Sequence, residues 1–184
     1  MTPLFPPLTQ AEIDRLCALA SVGADLASRA FGRLLGGTVA HRVPRVCGPA
    51  DPADPDRWCT GIVFEAAGDL TGLVAIVMPK PDRDRAVQMM VGEADPHERI
   101  VESALRELGN IIASHTVSAI ADSLGATIML SIPTLVMQDA DVVLLSLITQ
   151  RGAWIRIETD LYRPDGALSA LLVIAPDWPK PGAL

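Results

Sequence analysis

Two stretches of this 184-residue chain can be laid on each other without a gap. They are DRLCALASVGADLASRAFGRLLG, from position 14, and SALRELGNIIASHTVSAIADSLG, from position 103. β-rich runs follow each copy, and LTGLVAIVMP in the first half resembles LSALLVIAP in the second. A repeat of this size constrains the architecture more than any other feature, because both copies must bury the same apolar helix face in the same way. The order is helix, strands, short helix, then helix and strands again. It predicts an α+β fold: duplicated α-β-β-β units forming one antiparallel sheet, with the long helices packed on one face. The strands come in hairpin-linked runs rather than alternating with helices, which argues against a wound α/β sheet. One domain is expected over residues 9–177, with pseudo-repeats at about 9–95 and 96–177 and a disordered tail at 178–184.

Local signals place the elements. Thr9 with Glu12 three residues on reads as a capping box, and Gly36-Gly37 as the stop of the first helix. VAHRVPRV holds a short strand, and Pro44 confines it to an edge. GPADPADPDR is punctuation for a loop. WCTGIVFEAAG and LTGLVAIVMP form a hairpin across Gly68-Asp69. PDRDRAVQMMVGE reads as a short helix, and a long helix starts after Pro96 and runs to Gly125. Three strand-like runs follow: IMLSIPTLVM, then VVLLSLITQ joined to WIRIETDLY across Gly152, then LSALLVIAP after Pro164-Asp165-Gly166.

Composition removes several function classes. The formal net charge is −7, against the clustered Lys and Arg that nucleic acid or an anionic membrane demands. No apolar run reaches the ~18 residues of a membrane span, and MTPLFPPLTQ lacks the basic region and apolar run of a signal peptide. Cys17, Cys47 and Cys59 are odd in number and show no C-x-x-C spacing, so neither a disulfide framework nor a zinc site is expected. Together these features point to the cytoplasm.

On a wheel of ~100° per residue, Val101, Leu105, Leu108, Ile112 and Ala119 of the second long helix share one side. Ser103, Glu107, Asn110, Ser114 and Ser118 form a stripe opposite. Glu107 and Asn110, at i and i+3, have Cβ atoms roughly 5–6 Å apart. The stripe offers a carboxylate, an amide that both donates and accepts, and small hydroxyls. A solvated face is the bland reading. Gly109 argues against it, since a mid-helix glycine costs about 0.5–1 kcal/mol against alanine and suits a close approach by another backbone or by a partner protein.

Ser103-Ala-Leu-Arg-Glu107-Leu-Gly-Asn110, followed by I-I-A-S, small residues and a Leu-Gly stop, resembles the signature helix of the CheC/CheX/FliY family. These are phosphatases of the phosphorylated chemotaxis response regulator CheY. The duplicated layout and the IPTLV strand are also similar, so the resemblance covers about residues 9–177. It implies an aspartyl-phosphate phosphatase in chemotaxis and two-component signalling. Its partner would be a phosphorylated CheY-like receiver. It would carry no cofactor of its own, the Mg2+ being supplied by the receiver. It implies catalytic roles for Asn110, holding a water in line with the phosphorus, and for Glu107, docking on a receiver lysine. Ser103, Gly109 and Ser114 would touch the partner. A CheD-like deamidase and a second copy of the chain are further partners it allows.

The first helix departs from the motif: Asp14 holds the first position, but Ala18 and Ser21 stand where Glu and Asn are needed. One working site, on the second helix, is therefore expected. The rival reading is a non-enzymatic module that binds a receiver, a flagellar-switch component or a CheD-like protein. Other candidates weigh less. His115 reads as a packed histidine, and His41 and His97 as loop residues. Asp51, Asp54 and Asp56 alternate with prolines and match no calcium loop.

Overall fold

A computed structural model describes residues 8–48 and 51–177; the tail expected at 178–184 lies outside them. Among the described residues there are four helices and eight strands. The helices are α1 (Gln10–Leu34), α2 (Lys80–Val91), α3 (Glu98–Leu124) and α4 (Ala140–Gln150). The strands are β1 (Ala40–His41), β2 (Arg45–Cys47), β3 (Thr60–Gly68), β4 (Gly72–Met78), β5 (Ile128–Leu130), β6 (Thr134–Val136), β7 (Arg156–Tyr162) and β8 (Ser169–Pro176).

The strands form one antiparallel sheet in the order β1-β7-β8-β4-β3-β5, with β2 also on β7 and β6 also on β3. The order is palindromic. The central pair is β8 and β4, in register from Gly72 opposite Pro176 to Val77 opposite Leu171. Each half of the chain lends its interrupted edge strand to the other half's hairpin: β1 and β2 go to β7, while β5 and β6 go to β3. Proline explains the interruptions. Pro44 and Pro133 lack an N–H and fall between the short strands of each edge.

The long helices form where the sequence signals place them. Thr9 and Glu12 close a capping box, with Thr9 N–H to Glu12 Oε2 at 2.7 Å and Glu12 N–H to Thr9 Oγ1 at 3.3 Å. Gly36 takes the left-handed conformation just past α1, at φ 67°. His97 caps α3 by accepting the Arg99 N–H, and Gly125 ends it at φ 61°. α1 and α3 pack against each other through small residues. A Cβ on Gly23 would lie 2.9 Å from Thr116 Cγ2 and 3.1 Å from Thr116 O, so the helices approach closely only because that Cβ is missing.

Side chains alternate across the sheet and build a core on each face. Ile62, Phe64, Val74, Ile76 and Leu172 face the helix layer, meeting Phe31, Leu105, Leu108 and Ile112. Val63, Leu73, Val77, Leu171 and Val173 face the other way, meeting Trp58, Leu144 and Ile148.

That second face corrects one expectation. VVLLSLITQ is not a strand but most of α4. Its buried residues Ala140, Leu144 and Ile148 recur every four positions, while Val142 and Val143 are exposed. Short apolar runs rich in β-branched residues fit either period. What decides is the bare back of the sheet, which needs a cover. α4 supplies it with the Pro/Asp loop, anchored by Ala140 N–H to Cys59 O (3.3 Å) and Asp141 N–H to Trp58 O (3.0 Å). The second half is thus helix, two short strands, helix, hairpin, with α4 where the first half has its loop.

Candidate functional site

With the back of the sheet covered, the outward side of α3 remains. Buried positions Leu105, Leu108, Gly109, Ile112, Ala113 and Thr116 hold the helix on the sheet and on α1. Ser103, Glu107, Asn110, Ser114 and Ser118 are all exposed on the opposite side. Thr116 Oγ1 bonds back to Ile112 O at 2.8 Å and is satisfied within the helix. Among the described residues, no hydrogen bond or ion pair engages Glu107 or Asn110. The stripe thus presents an amide that can both donate and accept and a carboxylate that accepts, on a helix whose other side is packed.

Gly109 requires a correction. It lies on the buried side and meets the sheet, not a visiting protein. A Cβ there would fall inside van der Waals contact of Ile62 Cγ2 and 3.3 Å from Phe64 Cε2. Its absence lets α3 settle onto β3, which sets the height of Glu107 and Asn110 above the sheet. Gly109→Ala is expected to cost about 1–3 kcal/mol through overpacking, read as a lower urea midpoint. An unchanged midpoint would mean that Ile62 or the helix yields freely.

Arg106 escaped the sequence reading. Its Nη1 donates to Pro133 O at 2.8 Å, tying the β5–β6 connection to α3 one residue before Glu107. Nothing in the local sequence signals a contact over 27 positions. Ser131 clamps the same connection to β3, with N–H to Glu65 O at 2.9 Å and Oγ accepting Glu65 N–H at 2.9 Å. These bonds hold the β5–β6 connection in place beside the stripe.

On α1 the corresponding positions lack the chemistry. Asp14 is exposed and accepts from Gln10 Nε2 at 2.8 Å, Ala18 is exposed, and Ser21 is half-buried. The Pro/Asp loop lies on the far face of the sheet, where Trp58 joins the α4 core, so it does not shade the stripe.

The remaining candidates are accounted for structurally. His115 is half-buried on the flank of α3, and His41 bonds Asp25 Oδ1 at 3.0 Å. Among the described residues no group of three His, Cys, Asp or Glu gathers that could hold a metal ion. All three cysteines are free, and burial pushes the Cys47 thiol above its usual range, away from nucleophilic chemistry. Among the described residues no helix is long and apolar enough to cross a membrane.

Residues 100–137, which contain the stripe's Ser103, Glu107 and Asn110, match the family described as CheC-like. Over 142 residues the chain is 25% identical to the CheY-P phosphatase CheC of Bacillus subtilis (strain 168), covering 71% of this chain and 68% of that protein. Its fold is similar to Thermotoga maritima FliY, with a TM-score of 0.66, 18% identity and 92% of each chain covered. It is likewise similar to a chain of the CheX-CheY-BeF3-Mg2+ complex from Borrelia burgdorferi, with a TM-score of 0.64, 18% identity, and 85% of this chain and 96% of that one covered.

Proposed function

The chain belongs to the CheC/CheX/FliY family, and from that premise we propose that it accelerates hydrolysis of the aspartyl phosphate on a CheY-like receiver in chemotaxis signalling. The observation that carries this reading is the pair Glu107 and Asn110. Both are exposed, without partners among the described residues, and spaced one helical turn apart.

The chemistry asks little of the protein. An acyl phosphate is already activated, and the receiver holds the Mg2+ that neutralises the phosphoryl oxygens. Water attacks phosphorus, the bond from phosphorus to the aspartyl oxygen breaks, and inorganic phosphate leaves the free carboxylate behind. The phosphatase has only to hold that water in line, a matter of position rather than covalent chemistry. The Asn110 amide accepts from the water through its oxygen while its NH2 is free to donate toward the phosphoryl group. Glu107, one turn away, pairs with a receiver lysine and fixes the register. Ser103 and Ser114 extend the contact along the stripe.

The test is direct. Purified protein is mixed with a phosphorylated receiver and phosphate release is followed. Acceleration over the receiver's own rate supports the enzyme. Binding without acceleration would leave a receiver-binding module, a reading that the missing pair on α1 favours. Glu107→Gln removes the charge and keeps the shape. It is expected to raise KM roughly fivefold with little change in kcat, the effect of one interfacial ion pair of about 1 kcal/mol. A loss confined to kcat would instead place Glu107 in the chemical step.

A further inference from the structure

The two halves interrupt their edge strands in the same way. Between the pairs Ala66 opposite Leu130 and Val63 opposite Thr134, two residues of β3 face three: Ser131, Ile132 and Pro133. Between His41 opposite Leu161 and Arg45 opposite Glu158, two residues of β7 face three: Arg42, Val43 and Pro44. Each is a bulge that pushes its extra residue out of the ladder. Ile132 is 85% exposed and Val43 83%, the two most exposed large hydrophobics among the described residues. Both bulges are pinned alike. Ser131 N–H bonds Glu65 O and Arg42 N–H bonds Asp160 O, each at 2.9 Å. The carbonyl of the following proline is held by a long helix. Arg106 Nη1 donates to Pro133 O at 2.8 Å, and Cys17 Sγ to Pro44 O at 3.3 Å. Arg106 and Cys17 hold the same place in the repeat, the fourth residue of each aligned stretch.

A lone exposed isoleucine is ordinary, and a bulge by itself only blunts a sheet edge. Position sets Ile132 apart. On α3, Asn110 lies ~60° round the helix from Glu107, and Arg106 ~40° further the same way. Asn110 is therefore on the side of Glu107 that the β5–β6 bulge flanks. The stripe itself consists of hydroxyls, a carboxylate and an amide, which fix register but offer little apolar area. Protein interfaces draw much of their binding energy from apolar anchors ringed by polar contacts. Ile132 is joined to the stripe through Pro133 and Arg106, one residue before Glu107. Its backbone is already fixed, so covering it costs little ordering.

From this arrangement we propose that Ile132 is an apolar anchor for the receiver. It seats in an apolar depression beside the phosphoaspartate while Glu107 and Asn110 reach the phosphoryl site. The inference rests on the receiver being the partner and adds a residue that sets how tightly it docks. Arg106 is a positioning residue that holds the anchor through Pro133. Val43 has the same bulge and exposure, but α1 beside it carries Ala18 and Ser21 where Glu and Asn are needed, so no receiver is expected there.

The test uses the full chain and a CheY-like receiver, phosphorylated for turnover and carrying beryllofluoride, a stable phosphoryl mimic, for binding. Ile132→Ser is expected to raise KM and Kd about tenfold, with kcat within about twofold of wild type. Ile132→Val, which keeps most of the apolar surface, stays near wild type in both constants. Both variants keep the wild-type melting temperature, because the side chain is exposed. Val43→Ser is the matched control and leaves KM and Kd unchanged. Unchanged constants in Ile132→Ser, with wild type active, overturn the anchor and leave the phosphatase reading standing. An equal rise in Val43→Ser also overturns it. If wild type binds without accelerating hydrolysis, the phosphatase reading falls, and a tenfold weaker Kd in Ile132→Ser still supports the anchor. Failure of wild type to bind overturns it.

Discussion

Asn110→Ala is expected to reduce the acceleration of receiver dephosphorylation about 100-fold, leaving a rate near the receiver's own. The magnitude is that of a misplaced nucleophile, since without the amide the water loses its alignment with phosphorus. The loss should appear in kcat, with KM nearly unchanged, because the docking roles proposed for Glu107 and the serines are untouched. Stability should stay within about 0.5 kcal/mol, because the side chain is exposed and, among the described residues, without a hydrogen bond. This combination separates a catalytic loss from a folding defect. Substantial acceleration by the variant would move the chemistry to α1, where Asp14, Ala18 and Ser21 would have to perform it. Asn110→Gln carries the same amide one methylene further out, and partial recovery by that variant would support positioning.

The largest stability effect is expected on the opposite face of the sheet. Arg156 is 3% exposed and Glu158 is 4% exposed, and their side chains meet at 2.7 Å. Arg156 also donates to Gly48 O at 3.1 Å and to Asp51 O at 2.8 Å, and lies over the Trp58 ring at 5.6 Å. It is the tie that fastens the Pro/Asp loop to β7. Glu158→Leu leaves that guanidinium buried without its carboxylate and is expected to cost about 3–5 kcal/mol. In a domain of this size the change corresponds to a melting temperature lower by roughly 10 °C. Glu158→Gln, which retains an acceptor for Arg156, should cost less. Dephosphorylation per folded molecule should be unchanged in both, because α3 packs on the other face. A loss below about 1 kcal/mol for Glu158→Leu would mean that Arg156 recovers its hydration or turns fully to the loop carbonyls.

These two sites differ in how visible they are from the chain alone. The α3 stripe is a property of one helix. Glu107 and Asn110 are three residues apart, and the 3.6-residue period puts them on one side whatever else the fold does. The capping box at Thr9 and the hairpin of β3 and β4 are similarly local. The Arg156 site joins positions 48, 51 and 156, and no periodicity connects residues about a hundred positions apart. The pairs of Asp160 with Arg45 and Arg57 likewise join segments far apart in the chain. The missed helix α4 shows the same limit from another direction. VVLLSLITQ satisfies both a strand and a helix pattern, and its own residues hold no means of choosing.

Gly109 marks the boundary most clearly. Its cost within a helix is readable from the sequence, and so is the inference that something comes close to it. Whether that neighbour is a partner or the protein's own sheet depends on Ile62 and Phe64, which pack there only once β3 is in place. The amino-acid order alone determined the two long helices, the hairpins and the polar stripe of α3, because each arises from interactions within a few turns or strands. Tertiary structure decided which face of the sheet received α4 and the Pro/Asp loop, and which carboxylates the arginines met. Burial and charge pairing are relations between distant segments, and they exist only after the chain has closed on itself.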